Sequence, residues 1–251
     1  MTYRTCTALL ITSSLFALTA NAGPLTVSSS VGGAPNASSI FYENFDSLPT
    51  LGAPTNTHIN NSTYTLDNGL SVDFNGGMVY RDSQSGVAAA PYLSGDNGDN
   101  FGNSPSTGQD QSYYLAAGAD GSEDTITFNF SQGQMYLGLL WGSVDDYNTL
   151  SFFDSNDDLI GTVTGSDVLT SPNGDQGING TTYVNINSDT AFYKVEVTST
   201  SPSFEFDNMA FSKNNVDVPE PGILGLFGLG LLLMGFTLFN RRNSISSSMI
   251  A

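Results

Sequence analysis

Between residues 23 and 218 the apolar positions never settle into a sustained 3.6-residue repeat. They form short alternating or β-branched and aromatic runs bounded by Gly, Asn, Asp, Ser or Pro, the pattern of strands joined by tight turns. The clearest runs are Ile40 to Phe45, Leu70 to Phe74, Ser112 to Ala116, Thr125 to Phe130 and Met135 to Trp141. Five more follow: Thr149 to Phe153, Leu159 to Thr164, Thr182 to Ile186, Phe192 to Val197 and Phe204 to Phe211. From Thr125 to Phe130, and again from Tyr193 to Val197, the apolar side chains alternate as a half-buried strand requires. About ten short strands with frequent turn signals predict an all-β domain, with a jelly-roll-like β-sandwich as the specific expectation. Asp154-Ser155-Asn156-Asp157-Asp158 lies between two runs and predicts a hairpin turn. Its start imitates an EF-hand loop, but Leu159 and Gly165 stand where the tight-turn Gly and the bidentate Glu belong, which excludes that motif. Ser94 to Gly108 reads as a polar loop, either flexible or partly ordered by a cation.

Both ends follow a different pattern. Residues 1–22 have a short start with Arg4, an apolar stretch through Leu18, and Ala20-Asn21-Ala22 at the close. That is a secretory signal peptide, with an apolar core too short to span a bilayer. Near the other end, Gly222 to Phe239 supplies 18 uncharged residues. As a helix they reach about 27 Å at ~1.5 Å per residue, close to a hydrocarbon core of about 30 Å. Arg241 and Arg242 follow and favour a cytoplasmic end, so the 23–217 domain is expected outside, with 243–251 as a short cytoplasmic tail.

Charge and side-chain chemistry narrow the function. Between 23 and 218 three basic residues (Arg81, Lys194, Lys213) face 23 acids, a net charge of −20. Such a surface repels phosphate backbones, which argues against nucleic acid as a partner and leaves divalent cations and neutral polymers. The single cysteine, Cys6, lies within the signal peptide, so the mature domain is expected to have neither disulfides nor thiolate metal sites. His58 is the only histidine and is expected in an exposed loop; with no Gly-x-Ser-x-Gly elbow, nothing points to nucleophilic catalysis. Two carboxylates can cleave a glycoside, but 23 acids offer no way to choose a pair from sequence.

Pro219-Glu220-Pro221, the apolar helix and Arg241-Arg242 together resemble a PEP-CTERM sorting signal over 218–242, although such tails usually end sooner after the Arg pair. The resemblance implies export by a Gram-negative bacterium, removal of the leader by signal peptidase, and transient anchoring in the inner membrane. It further implies processing by an exosortase-type protease and association with extracellular polysaccharide or biofilm matrix. Leu139 to Leu150 and Phe204 to Phe211 resemble segments of exosortase-dependent surface proteins, a family to which no catalytic residues are attributed. Phe41 to Asp46, near the first main strand, and the last strand with Asp207 loosely resemble jelly-roll carbohydrate-binding domains, where early and late strands adjoin and often share a structural calcium. On that likeness Glu43, Asp46 and Asp207 are the expected Ca2+ ligands. Trp141 and Tyr147 are candidate sugar-stacking rings, with Asp145, Asp146 and Asn148 taking hydroxyls. The expected function is a non-catalytic surface or matrix protein contacting polysaccharide. A structural or adhesive protein without a sugar site, or a secreted polysaccharide hydrolase, are the alternatives.

Overall fold

The computed structural model describes residues 24–30, 32–102, 107–118 and 124–218. The expected signal peptide, the sorting segment from 219 onward with its expected 222–239 helix, and the expected 243–251 tail lie outside these. Among the described residues no helix is long and apolar enough to cross a membrane. The strands among them are β1 (Leu25–Ser30), β2 (Phe41–Glu43), β3 (Asn60–Thr65), β4 (Ser71–Asn75), β5 (Met78–Tyr80), β6 (Tyr92–Leu93) and β7 (Gly108–Gln109). After these come β8 (Tyr114–Ala117), β9 (Thr125–Gly142), β10 (Asn148–Phe153), β11 (Leu159–Thr164), β12 (Thr182–Ser199) and β13 (Phe204–Ser212). Among the described residues, helix is confined to a 3-10 turn at Leu48–Leu51 and one α-turn, Gly165–Val168. All strands but the small β6–β7 pair join one large antiparallel network.

The expected runs at 125–130 and 135–141 are one continuous strand, β9, and those at 182–186 and 192–197 are likewise one, β12. The two pair from Thr125↔Thr198 to Trp141↔Thr182, with an irregular corner midway. Before the corner β9 points Ile126, Phe128 and Phe130 into the core; after it, Leu137, Leu139 and Trp141. β12 makes the matching switch, from Val184 and Ile186 to Val195 and Val197. Each strand thus shifts its inward phase by one residue at the same place, so pairing resumes in register and both halves of the sheet face one core. Gly133 permits the corner: a Cβ there would stand 2.9 Å from the Ala191 Cβ. On the facing strand Ser188 Oγ donates to the Thr190 carbonyl at 2.6 Å.

One half-sheet contains β3, β4, the first part of β9, the last part of β12, β10 and β11. The other contains β1, the first part of β12, the last part of β9, β13, β2, β8 and β5. Aromatic rings bridge them: Phe128 of the first half meets Phe206 of the second edge-to-face at 5.8 Å, and Phe45 stacks on Phe128 at 5.7 Å. β13 makes a phase switch of its own. Phe204 and Phe206 face the core, Asn208 takes a positive φ of 52°, and Met209 and Phe211 then face the core in turn. The bulge falls where the β13–β9 register jumps from Asp207↔Leu140 to Ala210↔Gly138. All nine residues of β13 are buried, because two further apolar clusters cover its other face.

The Asp154 hairpin is as expected: its Oδ1 accepts the backbone N–H of Asn156 at 2.8 Å and of Asp158 at 3.0 Å. These bonds, that from Asp158 foremost, hold the Asp154 carboxyl below its ordinary value. His58 departs from expectation. It is half-buried and its Nε2 lies 2.9 Å from the buried Asp124 carboxylate. In the polar loop after Ser94, Asn97 is buried, accepting from Ser94 N–H and donating to the Tyr92 carbonyl, so side-chain hydrogen bonds organise that turn.

Phe128 joins both halves of the sheet, so Phe128→Ala is expected to lower stability by about 3–5 kcal/mol in a denaturant melt. Phe41→Ala, at a ring 47% exposed, is expected to cost less than about 1 kcal/mol.

Candidate functional site

β9 ends at Gly142, opposite Glu205 near the start of β13. The chain leaving β9 and the chain entering β13 therefore run side by side and bound a cleft of about 250 Å³. Four segments line it: Gly86 to Ala88, the turn after β9 (Ser143, Asp145, Tyr147), a loop at 173–176, and the entry to β13 (Pro202, Ser203, Glu205). Gly174 lets that loop close, since its φ is +67° and a Cβ would stand 2.8 Å from Asp145 Oδ2. Its N–H donates to the Val144 carbonyl at 3.1 Å.

Glu205 is only 2% exposed. The Ser143 hydroxyl donates to its Oε2, the Ser203 hydroxyl to its Oε1, and the Ala89 N–H to Oε1 at 2.9 Å. These donors favour the carboxylate, yet burial outweighs them and raises the pKa from 4.5 to about 7. Asp145 is also raised, chiefly by burial, against the bond from Tyr147 and with Asp146 adding repulsion. The Tyr147 hydroxyl lies 2.6 Å from Asp145 Oδ2 and 3.0 Å from the Pro202 carbonyl. With one phenol proton and two acceptors, a protonated Asp145 completes the chain to Pro202, and an ionised one competes for that proton.

The expected ligand residues divide. Asp145 and Tyr147 line the cleft, and Asp146 beside them is exposed. Trp141 and Asn148 are corrections. Trp141 is fully buried and stacks on Phe204 with ring centres 4.2 Å apart, so its face is spent on the core and cannot receive a sugar. Asn148 is also fully buried, accepting from Ser199 Oγ at 2.7 Å and donating to the Ser203 carbonyl at 3.5 Å. It fastens β10 to the entry of β13. Glu205, Ser143 and Ser203 were not among the residues expected from sequence. In Phe204-Glu205-Phe206-Asp207 the acids alternate with core rings and read as solvent-facing, because nothing local reveals that the second face of β13 is covered.

β2 and β13 do pair, with Glu43 opposite Met209, but Glu43, Asp46 and Asp207 each engage protein donors. Glu43 accepts from the Phe45 N–H and from Asn68 Nδ2, both at 2.8 Å. Asp46 accepts from the Tyr113 N–H at 2.8 Å and from Asn44 Nδ2 at 3.1 Å. Asp207 is fully buried and reached by Ser112 Oγ at 3.4 Å. Among the described residues no three His, Cys, Asp or Glu side chains converge as a metal site. A Tm higher in millimolar calcium than in EDTA would place an ion on these carboxylates, and an equal Tm would leave them to the protein donors alone.

As pH rises from 4.5 towards 7 the unfolded chain ionises Glu205 while the folded chain keeps it neutral, so this group's contribution to stability falls across that window. The full effect is about 3 kcal/mol. Glu205→Gln is expected to gain stability relative to the native chain by roughly that amount between pH 5 and pH 8, and the difference should level off above pH 8.

Residues 217–242 match the PEP-CTERM protein-sorting motif. Pro219, Glu220, Pro221, Arg241 and Arg242 all fall within the match. No curated protein matches the chain. The motif implies processing by an exosortase-type protease, and with it export, a membrane-anchored stage and delivery to the surface.

Proposed function

We propose, from the PEP-CTERM protein-sorting motif that this chain carries, a non-catalytic surface protein that contacts extracellular polysaccharide in the matrix of a Gram-negative bacterium. The motif at 217–242 is the observation that carries the reading. It supplies the address, and the β domain is the part delivered. A leader at 1–22 removed by signal peptidase, and a 222–239 helix held in the inner membrane until processing, complete the route. The folded-over sheet belongs to the same reading as a jelly-roll-like β-sandwich, supported by the single core that its two halves share.

The acidic surface favours this partner class over nucleic acid, since a net charge of −20 between 23 and 218 repels polyanions. The cleft beside Asp145 and Tyr147 gathers hydroxyl, amide and carboxyl groups around a space of about 250 Å³.

Two measurements on the full chain test the reading. Replacing Pro219-Glu220-Pro221 by three alanines should leave the protein in the membrane fraction with its tail uncut, whereas unchanged release would remove the sorting route. The detergent-solubilised chain should bind the host's exopolysaccharide saturably, with calcium and with EDTA. Absence of binding in both would favour a structural or adhesive protein, and turnover of the polymer would favour a hydrolase.

A further inference from the structure

The cleft's lining holds two acids, Asp145 and Glu205, and no Lys, Arg or His. The described basic side chains are engaged elsewhere. Arg81 donates to the Gln111 carbonyl and lies over the Tyr113 ring, and Lys213 donates to Gln132. Lys194 pairs with Asp157 at 2.5 Å and Glu196 at 3.1 Å, and His58 pairs with Asp124. The groups that face Glu205 are hydroxyls and an N–H, from Ser143, Ser203 and Ala89, together with the phenols of Tyr147 and of Tyr114 on β8. None of these is a counter-ion at neutral pH. Asp146, exposed beside Asp145, adds a third acid near the mouth.

An anionic ligand is excluded by this arrangement, since it would enter a partly dehydrated space against like charge. A cation supplies what the chain withholds. At about 250 Å³ the cleft is far larger than an ion requires, and it falls just below the ~300–1,000 Å³ of sites for drug-sized ligands. That leaves room for one ring rather than a chain of them. Asn173, Gln176, Ser143 and Ser203 are on hand for hydroxyls, and the bond network of Tyr147 with Asp145 and Pro202 can rearrange around an incoming donor.

We infer that the cleft takes an amino-sugar unit, its free ammonium group held by the Asp145 and Glu205 carboxyls and its hydroxyls by the surrounding amides and hydroxyls. This rests on the polysaccharide-contact reading and names the sugar class that reading leaves open. The ammonium satisfies two acids that are costly to ionise where they stand, so occupancy and carboxylate charge reinforce each other.

Calorimetry on the full chain in detergent, at pH 7 and moderate salt, tests this with a glucosamine oligosaccharide and its fully N-acetylated counterpart. The free-amine form is expected to bind at least tenfold tighter. Asp145→Asn and Glu205→Gln should each weaken it tenfold or more while retaining the native fold by Tm. Asp189→Asn removes the same charge at the corner midway along β12, outside the cleft's lining, and should change affinity less than twofold. Equal affinity for the two sugars overturns the inference, as does an equal loss in Asp189→Asn, which would mean attraction to the acidic surface as a whole. Binding of the acetylated form or of the host polymer alone sinks the amine assignment and leaves the polysaccharide reading standing. Absence of binding to all three removes both.

Discussion

β13 runs beside β9 with Phe204 and Phe206 packed into the main core, and its opposite face carries Glu205 and Asp207 into a second covered layer rather than into water. Removing two carboxyls from solvent on adjacent outward positions of one strand is tolerated only where donors meet them. Much of the domain's irregular structure serves that need. The Ser143 turn at the end of β9, the Ser203 hydroxyl at the entry to β13 and the Ala89 N–H all converge on Glu205. Ser112, before β8, reaches Asp207. The cleft is what remains where these segments meet without closing.

The same strand explains why the sheet holds together across its fold. β9, β12 and β13 each exchange the parity of their inward residues along their length, the first two at a shared corner and the third at the Asn208 bulge. A strand without such a switch would turn half of its apolar side chains away from the common core. The aromatic contacts of Phe128 with Phe45 and Phe206 lie where the two halves face each other. Local irregularity is therefore what makes the global packing consistent.

Much of this architecture was legible in the chain. The run Thr125 to Phe130 and the run Phe204 to Phe211 announce strands because β-branched and aromatic residues alternate with small or polar ones. That β9 and β12 are continuous through Ser131-Gln132-Gly133 and Ser188-Asp189-Thr190 was not legible, since polar residues at a corner look like those of a turn. β3, with Asn60-Asn61-Ser62-Thr63-Tyr64-Thr65, escaped for a related reason: an edge strand beside β4 needs few apolar residues. At the site, Asp145 and Tyr147 were legible as polar residues following a strand end. Trp141 and Asn148, from the same stretch, are absorbed by the core and by a turn fastening, a distinction decided by contacts with Phe204, Ser199 and Ser203 about 50 to 60 residues away. Glu205 was hidden because its burial depends on a layer that its own strand does not encode.

The sorting motif and the cleft occupy separate parts of the chain: residues 217–242 match the motif, and the turn after β9 and the entry to β13 bring Asp145, Tyr147 and Glu205 to the cleft. The account turns on Glu205 standing as a buried, largely counter-ion-free carboxyl at that cleft. Carbon-13 NMR of the Glu205 side-chain carboxyl, followed from pH 3 to pH 9 in the unliganded chain, measures this directly. A midpoint raised well above 4.5, to about 7, is the result the account predicts. A midpoint at or below the ordinary 4.5 would mean that the donors dominate over burial, and would contradict the account of Glu205 as a carboxyl that its setting makes costly to ionise.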